Sequence, residues 1–148
     1  MKRNEGGVTL IELMVVITII SILLMIAIPA YFFYDTRSKV TEGIALANPA
    51  LQSANQYFRT VGTWPGNNLA AGIPQPVSFA SKFVRDITVS AAGGANPQIT
   101  VTYNASNLRG FSSNPTIIFE PNVIEGATRW NCTAGDMPNI YRPLRCRP

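Results

Sequence analysis

The sequence predicts an α+β protein: a long N-terminal helical spine, its first half membrane-spanning, packed against a four-stranded antiparallel sheet. Three observations predict it. No charged residue occurs between Leu13 and Tyr34, a run long enough to cross a bilayer. Val40, Ile44, Ala47, Leu51, Ala54 and Phe58 then recur at three- and four-residue spacing, which lays them along one stripe of a helix. Beyond a loop rich in proline and glycine come four short runs of β-branched and aromatic residues separated by turn residues. The expected organisation is a leader at 1–7, a helix at 8–61 (apolar over 8–30, amphipathic over 31–61) and a head at 62–148.

The apolar half carries one anomaly. Glu12 stands at the head of the run, four residues beyond the pair Gly6-Gly7. A charge in the middle of a membrane-length segment costs roughly 2.5–3.5 kcal/mol on insertion scales, so it persists where something pairs with it. Val8 and Glu12 are i and i+4, on the same helical face. Cleavage between Gly7 and Val8 would free an α-amine, with a pKa of about 8, beside the carboxylate. Uncut, position 8 is a neutral amide and Glu12 is expected to lack a partner. The residues thus imply that proteolysis supplies the counter-charge. A conventional secretory signal is the competing reading, with Lys2 and Arg3 as its basic end and Ala27-Ile28-Pro29-Ala30 imitating its cleavage site. Against that reading, the apolar run is too long, contains Glu12, and places proline inside the cleavage motif. A plain membrane anchor would leave Glu12 without a purpose.

Gly7-Val8-Thr9-Leu10-Ile11-Glu12-Leu13 resembles the cleavage and methylation signature of type IV pilins and related prepilins. The chain departs from the family pattern at Val8, where most members carry phenylalanine, and in Glu5, an acid in an otherwise basic leader. The resemblance implies that a prepilin peptidase cuts after Gly7 and methylates the Val8 amine, and that Glu12 directs assembly. It also implies that the apolar helix forms the core of a filament and that the fold is the pilin ladle.

Continuing along the chain, Pro29 interrupts one hydrogen bond of a membrane helix without ending it. Tyr31, Phe32, Phe33 and Tyr34 sit where an interfacial aromatic belt belongs. Gly43 and Asn48-Pro49 weaken the amphipathic half, with a bend expected near residue 48. The helix is expected to stop at Val61-Gly62, where glycine suits a left-handed cap. Residues 63–76 read as loop. Strands are expected at 83–89, 98–103, 116–120 and 127–132. Ala91-Ala92-Gly93-Gly94-Ala95-Asn96-Pro97 connects the first pair, and Pro121-Asn122 and Gly126 connect the last. Cys132 and Cys146 both lie in the last seventeen residues. In an oxidising compartment they close a loop worth about 3 kcal/mol in the chain-entropy model; two free buried thiols is the alternative. Gly62-Thr63-Trp64-Pro65 resembles the start of the connecting loop in type IVa pilins, and Trp130-Asn131-Cys132 through Cys146 their disulfide-bounded region.

The totals exclude most chemistry. Losing Lys2, Arg3 and Glu5 from 12 basic and 8 acidic residues leaves ten and seven, a mild excess far from that of a nucleic-acid specialist. With no histidine and two cysteines, a metal site has almost no ligands to draw on, and no cofactor is expected. Asp86, Glu120, Glu125 and Asp136 are scattered and read as solvated surface groups, not a catalytic pair. Asn104-Ala105-Ser106 and Asn131-Cys132-Thr133 match a glycosylation sequon, a pattern frequent by chance. One cluster has binding character: Arg129, Arg142, Arg145 and Arg147 with Trp130 and Tyr141, a composition that grips phosphates and stacks on bases. The alternative is arginines that are solvated or paired with neighbouring subunits.

The resemblance therefore implies a structural subunit, not an enzyme. Before assembly it would sit in the inner membrane with its head in the periplasm. Afterwards it would be a homo-oligomeric surface filament serving adhesion, twitching motility and DNA uptake. Its partners would be the prepilin peptidase, the assembly machinery and, through the arginines, DNA or a host surface. A minor, competence-type pilin acting as a binding module is the alternative, ahead of a type II secretion pseudopilin.

Overall fold

The computed structural model describes residues 7–92 and 96–148, so the leader residues 1–6 and the Gly93–Ala95 part of the first strand connection fall outside it. Helix α1 runs over Leu10–Leu46 and helix α2 over Asn48–Val61. Pro29 lies inside α1 without ending it. The break at Ala47 follows from Pro49, which has no N–H to give the Ala45 carbonyl and crowds it with its ring. Ala47 N still donates to Gly43 O and Leu51 N to Ala47 O, so the spine carries on across the break. Gly62, at φ +82°, closes α2 through its N–H on the Phe58 carbonyl.

Strands β1 (Val84–Ala92), β2 (Asn96–Tyr103), β3 (Thr116–Ile124) and β4 (Ala127–Ala134) form an antiparallel meander in the order β1-β2-β3-β4. One face presents Val84, Ile87, Val89, Ile99, Val101, Tyr103, Ile117 and Phe119, which bury the helical stripe Val40, Ile44, Ala47, Leu51 and Ala54. A bulge between Val84 and Asp86 lets β1 keep Val84 and Ile87 on that face despite their odd spacing.

Of the expected connection through Pro121-Asn122 and Gly126, only Gly126 lies in the turn; strand β3 runs on through Pro121-Asn122, a correction with a simple cause. The pairing of β3 with β2 ends at Phe119, so Pro121 opposes only Trp130 of β4, and its missing N–H falls where no second strand needs it. The turn is instead Glu125-Gly126, with φ of +50° and +79°, a two-residue hairpin of the primed type.

Two polar side chains tie spine, loop and sheet together. The Tyr103 hydroxyl donates to the Val40 carbonyl at 2.7 Å, and burial pushes this phenol far above its usual range, so it stays a neutral donor. Gly43 makes the approach possible: a Cβ there would lie 2.5 Å from Tyr103 Cε1. Asn68 is buried in the connecting loop. It donates to Pro74 O and Ile87 O and accepts from Val89 N, which pins the loop to the outer edge of β1.

Candidate functional site

Two regions carry the expected functional residues: the start of the spine and the C-terminal loop. Every residue from Gly7 to Tyr31 is exposed, although that span is almost wholly apolar. The 52-residue helical spine is long and apolar enough to cross a membrane, and its most hydropathic window has nothing buried against the head. This surface is unstable in water, since each Å² of apolar area costs about 25 cal/mol to leave uncovered.

The Gly7–Val8 bond precedes the helix; Val8 is 79% exposed, and the space around the missing Gly7 side chain is open. Thr9 is the N-cap. Its Oγ1 accepts from Glu12 N at 3.3 Å, while Glu12 Oε2 accepts from Thr9 N at 3.0 Å and from Thr9 Oγ1 at 2.8 Å. This is a reciprocal capping box, signalled in the sequence by Thr-x-x-Glu ahead of an apolar run. It corrects the expectation that an uncut chain leaves Glu12 without a partner. The carboxylate has two hydrogen-bond donors and lies near the positive end of the helix dipole, but it has no counter-ion among the described residues.

Cys132 and Cys146 form a disulfide with Cα atoms 4.7 Å apart. It closes a loop of tight turns, in which Tyr141, Arg142, Cys146 and Arg147 each donate to the carbonyl three residues back.

The arginine cluster is not a single surface patch. Arg142 is 2% exposed and sits inside the loop. Its Nε donates to Met137 O at 2.7 Å, its Nη2 to Gly135 O at 2.8 Å, and its Nη1 to the carbonyls of Thr133 (2.6 Å), Ala134, Cys132 and Cys146. The loop folds around a guanidinium whose donors all point inward, which corrects the expectation that Arg142 faces solvent. Burial lowers its proton affinity and Asp136 opposes that, yet a guanidinium remains charged at working pH.

Of the other arginines, Arg147 donates from Nε to Arg142 O at 3.1 Å, Arg145 is exposed, and Arg129 is exposed on β4 opposite Asn122. Trp130 donates to Asn55 Oδ1 at 3.2 Å and lies edge-on to Trp64, while Tyr141 packs on Phe33 and Phe111. Both aromatics are therefore committed within the chain.

Asp136 is more than a solvated acid. Burial acts to raise its pKa, but hydrogen bonds from Thr116 Oγ1 and Thr116 N outweigh this and hold its carboxyl below the ordinary range. Gly135, at φ +99°, allows this approach, since a Cβ would meet the Thr116 carbonyl. Among the described residues no three His, Cys, Asp or Glu side chains gather as a metal site would need.

Residues 36–147 match the sequence profile of the family described as Pilin (bacterial filament), and residues 2–28 match the prokaryotic N-terminal methylation motif. The chain is 37% identical over 147 residues to the fimbrial protein EcpC of Eikenella corrodens, covering 99% of this chain and 94% of the relative. It is 33% identical over 132 residues to the type IV major pilin protein PilE of Neisseria gonorrhoeae, covering 89% and 76%. With the type IV major fimbrial protein FimA of Dichelobacter nodosus the match is 54% over 48 residues, 32% of this chain and 30% of the relative.

Proposed function

The chain belongs to the bacterial pilin family as a type IV pilin structural subunit, and from that premise we propose a two-stage life for it. In the first stage, residues 8–30 span the inner membrane with the head in the periplasm. A prepilin peptidase cuts the exposed Gly7–Val8 bond and methylates the Val8 amine. In the second stage, subunits leave the bilayer and pack their apolar helices together, so that protein replaces lipid over the same surface. The surface filament that results would serve adhesion, twitching motility and DNA uptake.

The observation that carries this reading is Glu12 at the head of an uncovered apolar helix. The Thr9 box satisfies the carboxylate's hydrogen bonding but leaves its charge unbalanced. A unit charge in a low-dielectric bundle is penalised by several kcal/mol unless an opposite charge meets it. The Val8 amine of a neighbouring subunit supplies that charge when the axial offset is correct, so the pair also selects the register of assembly. DNA capture by the C-terminal arginines has less to work with once Arg142 is buried, and Arg129, Arg145 and Arg147 are what remain for it.

Glu12→Ala tests the assignment. The variant is expected to enter the membrane and be cut normally, while sheared filament yield falls at least tenfold. Normal piliation in this background would refute the role of Glu12.

A further inference from the structure

The head meets the spine in a definite order along the helix axis. Nearest the apolar segment, Arg109 lies over the Phe32 ring at 4.4 Å, Tyr141 faces Phe33 with centroids 6.1 Å apart, and Arg37 donates to Ile140 O at 3.0 Å. Tyr103 meets the helix further along, at Val40, and Trp130 further still, at Asn55. The disulfide loop around Ile140 therefore lies at the level of residues 32–37, roughly 10 Å along the axis from Ile28. This is the depth at which a bilayer's headgroups would meet a helix spanning it through residues 8–30.

At that level Ile140 and Arg109 are exposed, with no acidic partner for Arg109 among the described residues, and the same disulfide loop carries a second uncovered apolar side chain, Leu144, and a second exposed cation, Arg145. Ile140 is 50% exposed and Leu144 is 77% exposed. Arg145 and Arg109 are exposed, as are Tyr31 and Tyr34. The nearby acids are engaged: Asp35 pairs with Lys39 at 2.6 Å, and Asp136 accepts from Thr116. Apolar groups flanked by arginines and tyrosines match the two halves of a lipid interface, acyl boundary and phosphate.

We propose that the 139–145 segment of the disulfide loop, together with Arg109, is a membrane-docking surface of the unassembled subunit. It seats Ile140 and Leu144 among the headgroups of an anionic phospholipid leaflet and places Arg109 and Arg145 on lipid phosphates. The inference rests on the reading that residues 8–30 span the membrane. Its consequence is that the head lies held against the bilayer before assembly and has to lift away as the subunit enters a filament.

Hydrogen–deuterium exchange on the full chain in nanodiscs tests this. In discs containing phosphatidylglycerol, amides of 139–145 should exchange several-fold more slowly than in all-phosphatidylcholine discs, and high salt should remove much of the difference. An Ile140→Glu/Leu144→Glu variant should lose the protection while amides of 10–30 stay protected. Arg109→Glu/Arg145→Glu, which leaves the apolar groups in place, should lose the lipid-charge dependence. If 10–30 is protected and 139–145 exchanges alike in both lipids, the docking surface is refuted and the membrane anchor stands. Unprotected 10–30 would overturn the anchor and the docking surface with it. Loop protection that appears only as protein concentration rises would assign the surface to a second copy of the chain, against the proposal.

Discussion

Arg142→Met should destabilise the head by about as much as loss of the disulfide would. The substitution keeps an unbranched apolar stem and deletes every donor. Six carbonyls then lose the guanidinium. Those of Thr133, Ala134 and Gly135 belong to residues with some solvent access and can recover water; of the buried Met137, Cys132 and Cys146, the first two are held at 2.7 and 3.2 Å and Cys146 only at a long 3.5 Å. Two buried carbonyls left unpaired cost about 1–3 kcal/mol each, offset in part because a cation no longer has to be desolvated. The net expectation is a loss of about 3 kcal/mol, against about 3 kcal/mol contributed by a disulfide loop of this size. Urea unfolding of the detergent-solubilised chain reads it through Trp64 and Trp130, whose rings lie 5.5 Å apart, with Trp130 two residues from Cys132 on β4. The midpoint should fall with little change in the dependence on urea. Arg142→Lys should recover only part of the loss, because one ammonium cannot fan out to carbonyls on several sides. An Arg142→Met protein within about 0.5 kcal/mol of the parent would mean that the guanidinium does not hold the loop together, since that is the range of an ordinary surface substitution.

Three further outcomes are expected. Gly43→Ala would bring a Cβ within 2.5 Å of Tyr103 and should cost about 1–3 kcal/mol by thermal unfolding; an unshifted Tm would mean that the helix–sheet contact is loose. Asp136 has a folded-state pKa below its unfolded value, so its stabilisation is present above the unfolded pKa of about 3.9 and is lost as pH falls through the lower folded value. Stability of Asp136→Asn should accordingly depend less on pH at the acid end, and identical acid limbs for the two proteins would contradict this. Thr9→Val removes one half of the capping box and should lower helix content near the start of α1 by an amount equivalent to about 1 kcal/mol; unchanged exchange of the Glu12 amide would show that the cap does not form.

The spine is readable because its two halves obey rules that need no partner information: a charge-free run, then a 3.6-residue stripe in which Val40, Ile44, Ala47, Leu51 and Ala54 are buried and Phe58, its last member, is half-buried against Trp64. Strand positions were readable, but their ends were not. Pro121 looked like a breaker because sequence does not reveal that β2 has already stopped pairing beside it. The place of Arg142 is hidden for a related reason: arginine defaults to the surface, and only the folded loop brings carbonyls from six residues around one guanidinium. Gly43 looked like a helix weakness and is a docking notch for Tyr103, a pairing 60 residues apart that no local pattern announces. The Thr9–Glu12 box is different. Its spacing is in plain view in the sequence, but a carboxylate in an apolar run reads first as a charge in need of a counter-ion, and its hydrogen-bond partner lies three residues away.

On the proposed function, a peptidase frees an amine beside a charge that the chain alone does not balance. Mass spectrometry of the N-terminal peptide from purified surface filaments tests it most directly. A chain starting at Val8 and carrying one N-methyl group is the expected result. A chain starting at Met1, or one trimmed near Ala30 so that Glu12 is gone, would contradict it.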